Sequence, residues 1–469
     1  MSIKRACEKG NPRESKEGTE SKRPLCAEPW RNLSIGNEGT YRPCCHIQLR
    51  TDKPCGTKNE LLDIFNSPEM QDLRGQLASQ NVTNEKCRSC LAHDRVNPAY
   101  TKDIGFEGVP SIYEDTRQRA QDSFDRGDTV VDHLPLLLTV YLSYQCNIRC
   151  IMCSQAVVKD KKMFRNYPSE NLISIFEEID GEEVPYLNLV GGEPFYSRDG
   201  VALIQHFGNA RDSHVQIGVT TNGTLFSKHE EVLSKLSQAN FTVSIDGFGE
   251  SYEYIRDGAN WNELMENIET LDRVTAKNPK VRLAEVTSIV MAASIPDLHK
   301  LVRFCADRGQ TLLFVECDQP FYLENCFFYP SLLMGTSWEE SMHKAIEVAR
   351  ELNLPITTEK LEFVHGRLRE AFYSPSKNIL LNEIQRIRSL FSLKVTGWQI
   401  GGRKKVRSLE RHVLRQIAAQ FFAWLDKINA QGEYFSREQH ARLKERLGAL
   451  SSGPSENVAS KSSLPILSA

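Results

Sequence analysis

Three cysteines, Cys146, Cys150 and Cys153, fall within eight residues. Spacings of this kind let one short loop wrap around a single inorganic core. A structural zinc site takes four ligands and closes its coordination sphere, and no fourth Cys or His lies nearby in the chain. An iron–sulfur cubane held by three thiolates instead leaves one iron open to an outside ligand. Three buried apolar cysteines are the remaining reading, and their clustering argues against it.

A second constellation lies earlier. Cys26 opens C-A-E-P-W, Cys44 and Cys45 close T-Y-R-P-C-C, and Cys87 and Cys90 form a C-x2-C knuckle. The segments NLSIG and TYRPCC flank a turn-forming NEG and read as a hairpin. That hairpin brings Cys26 and Cys44 together, and the knuckle supplies Cys87 and Cys90. Four thiolates close either a tetrahedral zinc or a four-iron cluster. Cys45 is a possible substitute for Cys44. The chain holds 13 cysteines, an odd number in 469 residues. Cys7, Cys55, Cys305, Cys317 and Cys326 receive no ligand role.

The elements that must position these groups follow from periodicity. From residue 134 short apolar strands alternate with helical stretches. The strand candidates are LLLTVYLS, YLNLVG, VQIGVTT, FTVSID, LAEVTSIVM and TLLFVEC. Helical stretches such as NLISIFEEID, WNELMENIETLDRVTA and IPDLHKLVRFCADRG lie between them. Six such repeats predict a parallel α/β sheet. They are too few for an eight-unit barrel, so an open, partial (β/α)6 TIM barrel is the natural arrangement. The cysteine triplet then sits at the carboxyl end of the first strand, where such sheets carry their chemistry. Val190-Gly191-Gly192-Glu193-Pro194 ends the second strand, Thr220-Thr221-Asn222-Gly223 the third, and Ser244-Ile245-Asp246-Gly247 the fourth.

The expected organisation has six parts. Residues 1–23 are polar and without apolar periodicity, so they are expected to be disordered. Residues 24–94 form the Cys-rich unit, with LLDIFNSPEMQDLRGQLAS as one or two short helices and Pro68 near a helix start. Residues 95–133 are a linker, 134–335 the barrel, 336–450 a helical region and 451–469 a serine-rich disordered tail.

Composition bounds the partners. The formal net charge is −3, with 58 basic and 61 acidic residues. This gives no overall pull towards nucleic acid or an anionic membrane. The longest apolar run is far too short to span a bilayer, and the polar start does not read as a signal peptide. A cytoplasmic location is expected. The basic run Arg403, Lys404, Lys405, Arg407, Arg411 and Arg415 suits an acidic partner or a solvated helix face.

C-x3-C-x2-C after a first strand, with GGEP after the second and the Thr-Asn and Ser-Ile-Asp ends of the third and fourth, resembles the radical S-adenosylmethionine (SAM) superfamily. The unit before it resembles the SPASM/twitch auxiliary-cluster domain, which usually follows the barrel rather than preceding it. The resemblance implies a [4Fe-4S] cluster on Cys146, Cys150 and Cys153. It also implies SAM bound with help from Gly191, Gly192, Glu193, Thr221, Asn222 and Ser244, with Glu193 meeting the SAM ammonium and Thr221 and Asn222 facing the cavity. Asp246 is either a loop-bonding residue or part of that site, and Arg256 either a carboxylate's partner or a helix-surface charge. Cys26, Cys44, Cys87 and Cys90 would hold an auxiliary [4Fe-4S] cluster, with a zinc ribbon as the alternative. Relatives of this kind make a 5′-deoxyadenosyl radical that removes hydrogen from a substrate. That implies oxidation or cross-linking of a peptide or protein, or else dehydrogenation of a small alcohol or sugar. It also implies a low-potential electron donor such as flavodoxin or ferredoxin. An inactive metal-stabilised scaffold or redox sensor is the non-enzymatic alternative. Glu316, Cys317 and Asp318, at the end of the sixth strand, are candidates for proton or hydrogen transfer.

Overall fold

A computed structural model describes residues 23–36, 39–44, 47–50, 55–92, 104–105, 111–153, 164–179, 183–209, 215–317, 324–392, 411–432, 434, 441–443 and 445. The expected disordered start, apart from its last residue, and the tail fall outside these residues. So do Cys7, Cys45, Asp318 and the basic residues 403–407, and the side chains of Arg411 and Arg415 are likewise not described.

Six parallel strands appear where the alternation places them. They are β4 (Leu137–Tyr141), β6 (Tyr186–Val190), β7 (Gln216–Thr221), β8 (Ala239–Ser244), β10 (Val281–Val290) and β11 (Thr311–Glu316). They neighbour one another in chain order, so their carboxyl ends share one rim. Between them run helices Ser169–Glu178, Arg198–Asn209, Trp261–Lys277 and Leu298–Asp307. Each buries an apolar stripe, as Leu264, Ile268, Leu271 and Val274 do on the third.

The Cys-rich unit is part of the same sheet. Strand β1 (Asn32–Gly36) pairs in parallel with β4, with Asn32 opposite Leu137 and Gly36 opposite Tyr141. The expected hairpin is present as β1 and β2 (Thr40–Cys44), and a further strand β3 (Ile47–Arg50) pairs with β2. The result is a nine-stranded mixed sheet. Leu33, Ser34, Ile35 and Gly36 are all buried, as expected for a strand covered on both faces.

Two helices, Lys58–Phe65 and Pro68–Ala78, follow. Ser67 caps the second through its side chain, and Pro68 takes the first turn, where a missing N–H costs nothing. The Arg74 guanidinium, fully buried, donates to the carbonyls of Pro29, Phe65 and Thr129 at 3.0, 2.8 and 2.9 Å. It staples three segments by satisfying their carbonyls. Burial lowers its pKa to about 9. The Tyr167 hydroxyl donates to the Cys55 carbonyl at 2.5 Å, so the otherwise unassigned Cys55 lies in a backbone link to the barrel.

His133, just before β4, lies edge-on to Phe65 at 6.0 Å and is 1% exposed. Burial pushes its pKa down to about 4, with the Leu134 carbonyl opposing. A depressed imidazole binds its proton less well folded than unfolded. Its stabilising contribution is therefore complete above the ordinary value near 6.5 and is lost as pH falls towards 4. Between pH 7 and pH 5 this residue alone is expected to cost about 2 kcal/mol of stability. Urea denaturation at the two values checks this, and His133→Asn, which does not titrate, should remove that part of the slope.

The C-terminal region is helical, as expected from residue 336. Helices Pro355–Tyr373 and Lys377–Ser392 join Trp338–Glu351 and Arg411–Gly432. The first packs on the edge strand β11, where the Thr357 hydroxyl donates to the Leu312 carbonyl at 3.0 Å. Covering that edge protects its open backbone groups. No helix among the described residues is long and apolar enough to cross a membrane.

Candidate functional site

The loop after β4 carries Cys146, Cys150 and Cys153, and backbone contacts hold it on two sides. Gly191 and Gly192 at the end of β6 adopt φ of +91° and +53°. A side chain on Gly192 would place its Cβ 2.0 Å from the Gln145 carbonyl oxygen, so glycine is required there. The Glu193 N–H then donates to that same carbonyl at 2.8 Å. The two glycines thus admit the cysteine loop itself. On the far side, Arg149 and Cys150 form a short strand β5 that pairs with β9 (Arg256–Asp257), Cys150 opposite Arg256.

Two side chains reach the cysteine sulfurs. The Asn222 amide lies 3.7 Å from the Cys146 sulfur and donates to the Asn147 side chain at 2.9 Å. The Arg256 guanidinium lies 3.7 Å from the Cys150 sulfur and pairs with Asp246 at 2.7 Å, the two side chains being 7% and 1% exposed. Asp246 also accepts the Ile289 N–H at 2.8 Å. Burial opposes the charge on Arg256, but Asp246 and Cys150 outweigh it and raise its pKa. Asp246 and Arg256, each open to two readings in sequence, are thus bound to each other beside Cys150.

Glu193 is fully engaged. Its carboxylate accepts from the Phe195 N–H at 3.1 Å, the Thr221 hydroxyl at 2.7 Å and the Asn222 N–H at 2.7 Å. Burial lifts its pKa to about 6 against those donors. Thr221 and Asn222, expected to face the cavity, are 2% and 5% exposed and tied into this network. The three residues clamp the ends of β6 and β7 together and aim the Asn222 amide at Cys146. The Ser244 hydroxyl lies 3.5 Å from that of Thr287 on β10. Glu316 pairs with Arg367 of helix Pro355–Tyr373 at 3.4 Å, and Cys317 is buried.

Burial raises the Cys146 thiol to about 11 and the Cys150 thiol to about 12, with Arg256 opposing the latter. Such thiols keep their protons until a metal displaces them. In the N-terminal unit, burial raises Cys26 to about 12, with Cys44 and Cys87 adding to the shift. Cys87 is raised to about 12 by burial, with Cys44 and Cys90 adding. All four expected cysteines are therefore electrostatic neighbours. Among the described residues no three His, Cys, Asp or Glu side chains converge on a single metal ion. Both donor sets, thiols without carboxylate ligands, suit iron–sulfur ligation.

Fold and site define a partial-barrel α/β protein with a thiol triplet on its rim and a Cys-rich extension of its sheet. Residues 140–289 match the description of the radical SAM superfamily. Residues 26–91 match the SPASM iron–sulfur cluster-binding domain, placed before the core. Among curated proteins, the chain is 26% identical over 198 residues to "Mycofactocin maturase MftC" of Mycolicibacterium smegmatis, covering 41% of this chain and 46% of that one. It is 26% identical over 196 residues to "GTP 3',8-cyclase" of Aliarcobacter butzleri, covering 40% and 57%. The chain thus spans about half the length of these relatives. Among solved structures, Streptococcus suis SuiB bound to S-adenosylmethionine matches at 15% identity and a TM-score of 0.37, covering 70% of this chain and 68% of that one.

Proposed function

We propose that the chain is a radical SAM enzyme with one auxiliary iron–sulfur cluster, and that it oxidises or cross-links a peptide or protein. The observation that carries the class is the rim itself. Two of the loop's three thiols, Cys146 and Cys150, meet the Asn222 amide and the Arg256 guanidinium, each 3.7 Å from a sulfur. N–H groups aimed at cluster sulfurs tune their charge and potential. Cys146, Cys150 and Cys153 would hold a [4Fe-4S] cluster that, with SAM bound, supplies a 5′-deoxyadenosyl radical.

The chain's own residues position and shield. Gly191 and Gly192 let the loop close on the rim, Glu193 fixes Thr221 and Asn222, and the Asp246–Arg256 pair orients Cys150. Leu142, Ile148 and Met152 are buried around the loop and keep water from its inner face. Cys26, Cys44, Cys87 and Cys90 would hold the auxiliary cluster. An auxiliary cluster favours oxidation, because a substrate radical must give up an electron. The peptide reading rests on the pairing of a SPASM-type unit with the barrel and on a maturase among the relatives. The nucleotide cyclases among the relatives favour a small-molecule substrate as the second reading.

The test is anaerobic reconstitution with iron and sulfide, then incubation with SAM and dithionite. About eight irons per chain, four for each cubane, and 5′-deoxyadenosine are expected. Iron without 5′-deoxyadenosine would establish the scaffold reading instead. About four irons with product would remove the auxiliary [4Fe-4S] cluster and spare the barrel site.

A further inference from the structure

Outside the rim, the chain forms an open cleft of about 650 Å³ between helix Arg198–Asn209 and the turn after β7. Phe195, Tyr196, Arg198, Leu225, Lys228 and His229 are among its lining. Its floor is rigid: Phe195 packs on Phe226, Phe241 and His229 with ring centres 5.6, 5.9 and 5.3 Å apart. Its lip is aromatic and basic. Tyr196 is 54% exposed, and Arg198 and Lys228 are exposed beside it.

The charge here is unbalanced. Among the described residues no carboxylate pairs with Arg198 or Lys228, and the nearby acids are engaged elsewhere. Asp199 accepts from Asn166 and Ser169 at 2.7 and 3.0 Å. Glu230 faces Arg273 at 3.5 Å, and Glu231 pairs with Lys235 at 2.6 Å. In a chain of net charge −3, Arg198 and Lys228 thus set two cations around an exposed aromatic ring, and Asp199, held by neutral donors, is the one unpaired carboxylate among these nearby acids. Such a composition suits docking of an acidic partner.

The cleft also connects to the cysteine loop. The Phe195 N–H on its floor donates to Glu193, Glu193 accepts from the Asn222 N–H, and the Asn222 amide lies 3.7 Å from the Cys146 sulfur. A second route starts at the cleft wall. Thr224, next to Leu225, accepts from the side chain of Asn147, which follows Cys146, at 2.9 Å.

We infer that this cleft is the docking surface for a small acidic electron-carrier protein, with Arg198 and Lys228 receiving its carboxylates and Tyr196 its apolar rim. The inference rests on the proposed function, which needs one electron delivered from outside for each reductive cleavage. The carrier loses that electron and the cluster site gains it, with no bond exchanged between the two proteins.

The experiment measures binding of an acidic flavodoxin to the full reconstituted chain, wild type against Arg198→Glu/Lys228→Glu. The wild type should bind with an affinity that falls steeply with salt, and the variant at least about tenfold more weakly with a flatter salt dependence. Both positions are exposed, and circular dichroism confirms the fold. 5′-Deoxyadenosine formation driven by dithionite should be equal in the two proteins, while flavodoxin-driven formation should show a raised KM for the carrier. Equal carrier affinity in both proteins, or no binding by the wild type, overturns the inference. Normal carrier binding with no dithionite-driven product would sink the proposed function and leave the docking surface standing.

Discussion

Cys150→Ala is expected to lower 5′-deoxyadenosine formation by more than about 1,000-fold, equivalent to about 4 kcal/mol of barrier. Iron content should fall from about eight to about four per chain. The size of the effect follows from the loop's construction. Cys150 is held by strand pairing to Arg256, and the guanidinium near its sulfur has the buried Asp246 as its counter-charge. Two remaining thiolates cannot hold a cubane that leaves one iron open. Two controls separate this loss from general damage. Cys305→Ala, in the buried face of helix Leu298–Asp307, should keep both iron and product. Cys87→Ala should lose the auxiliary irons and still release 5′-deoxyadenosine from SAM. A Cys150→Ala protein that retained full product and iron would remove Cys150 from the ligand set.

Asp246→Asn is expected to destabilise the chain by about 3–5 kcal/mol, because it strands a buried guanidinium without its counter-charge. Asparagine still offers an oxygen to the Ile289 N–H, so the change isolates the charge. Replacing both partners, as in Asp246→Leu/Arg256→Leu, should recover much of that stability, since no lone charge stays buried. The double variant should nonetheless hold less iron at the barrel site, having lost the N–H group beside the Cys150 sulfur. Urea denaturation measures the first effect and iron analysis the second. Equal stability of Asp246→Asn and wild type would show that the pair contributes nothing net. Full iron in the double variant would show that Arg256 has no part in holding the loop.

The legible features were local ones. The strand–helix alternation placed all six barrel strands, because a strand and the helix that covers it are written in adjacent residues. The triplet Cys146, Cys150 and Cys153 and the glycines after β6 were legible for the same reason. Parallel strands in chain order then put these motifs on one rim. The hairpin of β1 and β2 carried its own turn signal. Strand β3 did not, being four residues of mixed polarity.

Tertiary structure decided the long-range partners. Residues 32–36 give no sign that they pair with residues 137–141, about a hundred positions on. Only the packed sheet shows the Cys-rich unit as its extension and residues 33–36 as buried on it. Glu193 could be read from its motif as a ligand for an ammonium group. In the fold its oxygens take three donors, two of them from the end of the next strand. Asp246 and Arg256 stand ten residues apart, yet their ion pair forms because β9 folds back onto the cysteine loop. The sequence by itself determined which residues could do the chemistry and on which rim they stand. The tertiary structure decided which of them hold the others in place, because a buried polar group must find its partner in space.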